Sequence, residues 1–146
     1  MIDEMYQEII LDYYRNPRNK GVLPHPDIVS HDVNTSCGDE ITMNVLVKDG
    51  RIGNLRFAGK GCAISQAAAS MLTEYALGKS LSEVAKFNKE DVLKLISIPI
   101  SCMRLKCALL GLKVLKLGVL QYVNNHLSEE QLVKLKSDQL NENDDY

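Results

Sequence analysis

No apolar stretch in this sequence approaches the roughly 18 residues that a membrane-spanning helix requires, so a membrane partner is not expected on that ground. The opening residues Met1-Ile2-Asp3-Glu4-Met5-Tyr6 carry acids where a secretion signal needs a basic start, and the expected location is the cytoplasm. An excess of basic charge is missing too: the formal net charge is −2 and the pI is near 5.9. Binding to nucleic acid needs a concentrated basic surface, so no nucleic-acid partner is expected. There is no Gly/Ser linker and no internal repeat. With 45% of its 146 residues hydrophobic, the chain has the make-up of one domain with a sizeable core. Cysteine is sparse, at four residues. A disulfide framework is not expected without a secretion signal, which leaves reduced thiols that are buried, ligating or reactive.

What is present reads as a mixed chain. Ile2, Met5, Ile9, Ile10 and Tyr13 recur at helical spacing until Asn16-Pro17 stops them. Asn16-Pro17-Arg18-Asn19-Lys20-Gly21 is a loop by composition, and Asp27 to Val33 reads as an edge strand. Ile41, Met43, Val45 and Val47 alternate with more polar residues, and Asp49-Gly50 separates them from Ile52, Leu55 and Phe57, as in a tightly turned β-hairpin. Ala63 to Leu77 carries a helical face of Ile64, Ala68, Met71, Leu72 and Tyr75, so Cys62 stands where a strand turns into a helix. Ser80 with Glu83, and Asn88 with Asp91, mark two further helix starts, the second helix closed by Pro99. Arg104-Leu105-Lys106-Cys107 is expected to open a long apolar helix, which would put Cys107 near a helix N-terminus. A domain over residues 1–127 is expected, followed at 128–146 by a helix with a capping box at Ser128 and an acidic tip too polar to bury.

Cys37-Gly38-Asp39 sets a thiol and a carboxylate two residues apart across a flexible glycine. Cys62 and Cys107 are both expected at helix starts, where unpaired N–H groups favour thiolate over thiol. Three thiolates and a carboxylate suit tetrahedral zinc, and soft thiolates also suit an iron–sulfur cluster. The spacing matches no zinc-finger or ferredoxin pattern, so incidental buried cysteines stand as the alternative reading.

Five ordered stretches carry a resemblance: Asn16 to Gly21, Cys37-Gly38-Asp39, Gly59-Lys60-Gly61-Cys62-Ala63-Ile64-Ser65, Ala69-Ser70-Met71 and Arg104-Leu105-Lys106-Cys107-Ala108. In this order they resemble the IscU/SufU/NifU-N family of iron–sulfur cluster assembly proteins, over roughly Met1 to Gly118. The resemblance implies an α/β (α+β) fold in which helices pack on a three-stranded antiparallel sheet. It implies that Cys37, Asp39, Cys62 and Cys107 bind zinc or hold a transient 2Fe–2S or 4Fe–4S cluster. It further implies that a cysteine desulfurase supplies sulfur and that cluster-accepting apo-proteins receive the product. Such a chain is a scaffold or carrier, or else a zinc-dependent sulfurtransferase; a purely structural zinc module is the third reading.

The pattern is mixed within the family. Scaffolds of the IscU type carry a histidine directly before the third cysteine, where this chain has Lys106 as SufU proteins do. SufU proteins, however, carry an insertion between the second and third cysteines for which the stretch from Cys62 to Cys107 is too short. Cys37, on a flexible loop, is the favoured first sulfur acceptor. Cys107 competes, with Arg104 and Lys106 read either as solvated cations or as charges that lower its thiol pKa. Cys102 is read as a spare thiol. His25, His31 and His126 lack a motif partner and read as surface or structural residues, and Lys60 reads as a turn residue or part of a docking surface.

Overall fold

The computed structural model describes residues 4–126. The expectations for residues 128–146, and the domain boundary that precedes them, lie outside the described residues. Helix α1 (Glu4–Arg15) is followed by three strands, β1 (Ile28–Asn34), β2 (Asp39–Lys48) and β3 (Arg51–Lys60). Four helices then follow: α2 (Ala63–Ala76), α3 (Leu81–Ala85), α4 (Lys89–Ile96) and α5 (Cys102–His126). The sheet is antiparallel in the order β1-β2-β3, as the resemblance implied.

Asp49 and Gly50 turn β2 into β3 with φ of 54° and 75°, the paired positive values that match the strands' own twist. Pairing runs from Ile28 opposite Val45 to Asn34 opposite Asp39, which leaves a four-residue loop, Thr35-Ser36-Cys37-Gly38, between β1 and β2. Because side chains alternate along a strand, Ile28, Ile41, Met43, Val45, Leu55 and Phe57 share one buried face. Helix α2 packs on β3, and α5 crosses β1 and β2. That crossing depends on small residues. A Cβ on Gly118 would lie 2.7 Å from Ile28 Cγ2 and 3.0 Å from Ser30 Cβ, and one on Gly111 would lie 3.3 Å from Ala69 Cα.

The loop from Asn16 to Gly21 is a clasp. Phe57 N donates to Asn19 O (2.9 Å) and Gly21 N to Phe57 O (2.8 Å), so the loop covers the outer edge of β3. Arg18 N donates to Ser70 Oγ of α2 (2.8 Å), and its guanidinium sits over the Tyr13 ring and pairs with Asp12 of α1 at 2.7 Å. Both expected capping boxes are formed, at Ser80 with Glu83 and at Asn88 with Asp91. Helix α4 ends at Ile96, three residues before Pro99, because Ser97 takes the left-handed conformation (φ 62°) that terminates it.

One expectation fails. Helix α5 begins at Cys102, where Ser101 O accepts bonds from both Arg104 N and Leu105 N, so Cys107 lies in the second turn and not at the helix start. Its own N–H is past the unpaired first turn, and the helix terminus gives its sulfur no thiolate preference.

Candidate metal centre

Cys37 lies in the β1–β2 loop, with its N–H donating to Asn34 O (3.2 Å) and Gly38 at φ 69° completing the turn. The residue is exposed, so its sulfur is open to a partner. Asp39 is the first residue of β2 and its side chain points to the helix-covered face, where it is 1% exposed. Its Oδ1 accepts from Cys62 N (2.9 Å) and from Ser65 Oγ (3.2 Å). Its Oδ2 is buried without a hydrogen-bond partner. Leaving such an acceptor unsatisfied costs about 1–3 kcal/mol, more for a charged group.

Cys62 caps α2: its backbone is extended (φ −71°, ψ 162°), and its sulfur accepts from Ser65 N at 3.4 Å. Among the three site cysteines it alone has the helix N-terminus that was expected to favour thiolate. Ser65 is the hub beneath it. The hydroxyl lies 3.0 Å from Cys62 O as well as 3.2 Å from Asp39 Oδ1, and it receives a bond from Gln66 Nε2 at 3.2 Å. Gly59-Lys60-Gly61 lets β3 approach this corner, since a Cβ on Gly61 would strike Asp39 Oδ1 and one on Gly59 would strike Glu40 O.

Cys107 reaches the same corner from α5 and is fully buried. Its sulfur is 2.9 Å from that of Cys37, too far for a disulfide, and 3.9 Å from Asn34 Nδ2. Donor atoms of Cys37, Asp39 and Cys107 all lie within 4.8 Å of one another. The sulfur of Cys62 stands outside that set. Burial drives the Cys107 thiol well above its ordinary pKa, and the side chains of Cys37 and Asp39 and the charge at Cys62 push the same way. Arg104 and Lys106, both exposed on the helix flank, do not reverse this direction. Cys102 is exposed on the first residue of α5. His31 pairs with Glu40 at 3.0 Å on the outer face of the sheet.

Two sulfurs and a buried, half-satisfied carboxylate within 4.8 Å, with a third sulfur on the adjoining helix cap, suit zinc or an iron–sulfur cluster. No hydrogen-bond donor reaches Asp39 Oδ2, and a metal ion would supply the partner it lacks. Ser65 entered the sequence reading only as the last residue of one motif, with no role given to it, and Asn34 did not enter it. Only the spacing of Ser65 three residues after Cys62, the place where an N-cap bonds, could have pointed to the first.

Residues 5–129 match the NifU-like N terminal domain. Among curated proteins, the zinc-dependent sulfurtransferase SufU of Bacillus subtilis is 33% identical over 135 positions, covering 81% of this chain and 91% of that one. An iron–sulfur cluster assembly scaffold protein IscU of Archaeoglobus fulgidus is 28% identical and covers 97% and 98%. Among solved structures, the SUF-system scaffold protein of Fervidobacterium islandicum superposes with a TM-score of 0.66 at 29% identity, covering 80% of this chain and 97% of that one. With the sheet order, the helix layer and the thiol corner all in place, the chain belongs to the NifU-like N-terminal domain family.

Proposed function

We propose that this chain is an iron–sulfur cluster assembly scaffold that takes sulfur from a cysteine desulfurase on Cys37 and holds a nascent cluster, its cargo, at Cys37, Asp39, Cys62 and Cys107. Cluster-accepting apo-proteins then receive it. The observation that carries this reading is the meeting of an exposed thiol, a buried thiol and a half-satisfied buried carboxylate within 4.8 Å. The relatives named as scaffold and as sulfurtransferase support it. The cytoplasm is the proposed compartment; among the described residues no helix is long and apolar enough to cross a membrane.

In the transfer step the Cys37 thiolate attacks the outer sulfur of the donor's persulfide. The donor's S–S bond breaks, its thiolate leaves and takes up the proton lost by Cys37, and a persulfide forms on Cys37. No net oxidation or reduction occurs. Cys37 suits the task because it is exposed and its loop can move about Gly38, whereas Cys107 is buried on α5, where burial raises its thiol pKa.

A second reading, zinc-dependent sulfurtransferase, is favoured by Lys106 standing where IscU-type scaffolds have histidine. The same four residues would hold zinc, which when bound would keep the thiols ionised and the corner assembled. The alignment with the Bacillus relative spans 135 positions yet covers only 81% of this chain, so that relative carries residues that this one lacks.

Turnover with a desulfurase, followed by alkylation and peptide mass spectrometry, tests the assignment. Sulfane sulfur is expected first on Cys37, in the unmodified chain and in Cys102→Ser alike. Label confined to Cys107, or to Cys102, defeats it. Metal content and the visible spectrum of anaerobically purified chain decide between cluster and zinc.

A further inference from the structure

Beside the thiol corner, between α5 and the loop that follows β1, lies a cleft of about 260 Å³. Asn34, Thr35 and Ser36 form one wall and Lys106 and Lys113, seven residues apart on one face of α5, form the other, over Leu109. Lys113 is 2.8 Å from Asp32, while Lys106 is exposed and has no ion-pair partner among the described residues. The cleft therefore carries net positive charge together with hydroxyl and amide groups.

The cleft adjoins the thiol corner through two chain neighbours of its cysteines and one amide contact. Ser36 precedes Cys37, Lys106 precedes Cys107, and the Asn34 amide that faces the cleft reaches Cys107 Sγ at 3.9 Å. We infer that this cleft binds a low-molecular-weight carboxylate-bearing persulfide or its thiol, of about the size of an amino acid, and seats its sulfur against Cys37. The volume falls just short of the roughly 300 Å³ at which pockets for drug-sized ligands begin, which suits a ligand of about amino-acid size. The lysines take the carboxylate, the hydroxyls and Asn34 take the remaining polar groups, and Leu109 lies under the carbon chain. Transfer follows the same chemistry as from a protein donor. Cys37 thiolate attacks the outer sulfur of R–S–S⁻, the S–S bond breaks, and R–S⁻ departs and is protonated, with no external oxidant or reductant.

This inference rests on the proposed role of Cys37 as sulfur acceptor and is separable from it by experiment. The full chain is treated with the persulfide of N-acetylcysteine or with that of its amide, which differ by one carboxylate. The gain of one sulfur on Cys37 is followed by peptide mass spectrometry against donor concentration. The carboxylate donor is expected to saturate and to load about tenfold faster at low concentration, the scale of two partly exposed charge pairs. This preference is expected to shrink as salt rises and to fall toward unity in Lys106→Gln and in Lys113→Gln. Lys106→Gln is decisive, because that side chain is exposed and takes part in no ion pair among the described residues. Equal loading by the two donors, or a preference that survives Lys106→Gln, overturns the inference. If a desulfurase loads Cys37 while neither small donor does, this inference alone fails; if no donor loads Cys37, the acceptor assignment fails with it.

Discussion

Asp39 holds the least common position in the corner, a carboxylate sealed from water with one oxygen bonded twice and the other bonded to nothing. In the proposed ligand set it would be the hardest and most labile donor for a soft metal centre, and so would set how readily a cluster leaves. Asp39→Ala is expected to lengthen the life of a reconstituted cluster by about tenfold, read from the decay of visible absorbance. A shortened lifetime would make Asp39 an anchor instead. Its pairing with Cys37 was legible from Cys37-Gly38-Asp39, but its burial was not, because a turn aspartate and a strand-end ligand look alike until a helix covers them. Cys62 as a helix start was also legible. The start of the helix that carries Cys107 was placed two residues late, at Arg104, since the apolar rhythm beginning at Leu105 gives no sign that Ser101 and Cys102 have already opened the helix.

The elements that carry these residues are set by their ends. Gly59-Lys60-Gly61 continues β3 up against Asp39 and Glu40 before Cys62 caps α2, and the two glycines are there because any side chain would collide. Gly61→Ala is expected to cost about 2–4 kcal/mol in urea unfolding, since it combines a left-handed backbone (φ 148°) with a clash at Asp39 Oδ1. The same variant is expected to weaken zinc binding in competition with a chromophoric chelator, because the displaced atom belongs to the proposed ligand set. Asn88→Ala is the control. It removes the α4 cap, remote from the thiols, and is expected to cost about 1 kcal/mol without moving zinc affinity. A loss of zinc affinity in Asn88→Ala would mean that the corner reports global stability rather than local geometry.

Across the molecule, Cys107 is brought to the β1–β2 loop by the crossing of α5 over the sheet, with Gly118 close against Ile28 and Ser30 of β1 and Gly111 close against Ala69 of α2. Gly118→Ala separates two effects of opposite sign. Alanine favours a helix interior by about 1 kcal/mol, while the added methyl crowds a stiff, buried contact at a cost of about 1–3 kcal/mol. The crowding is expected to win, lowering the unfolding free energy by a net of about 1 kcal/mol, read as a lower urea midpoint with the denaturant slope unchanged. A rise in the midpoint would show that α5 can shift on the sheet without cost.

Much of this architecture follows from short-range chemistry and is written locally. The alternation of Ile41, Met43 and Val45, the Asp49-Gly50 turn, the boxes at Ser80 and Asn88 and the N-cap at Cys62 each depend on residues within a few positions of one another, and each is formed. The clasp from Asn16 to Gly21 was legible as a loop but not as the cover of a sheet edge, because its partners are Phe57, Ser70 and Thr73. The thiol corner itself joins residues seventy positions apart. Which sulfur is exposed, which is buried, and which carboxylate oxygen is left without a hydrogen-bond partner depend on how closely two helices settle on one sheet. That closeness is fixed by the packing of a few glycines and alanines against distant neighbours, a property no local pattern of the sequence contains.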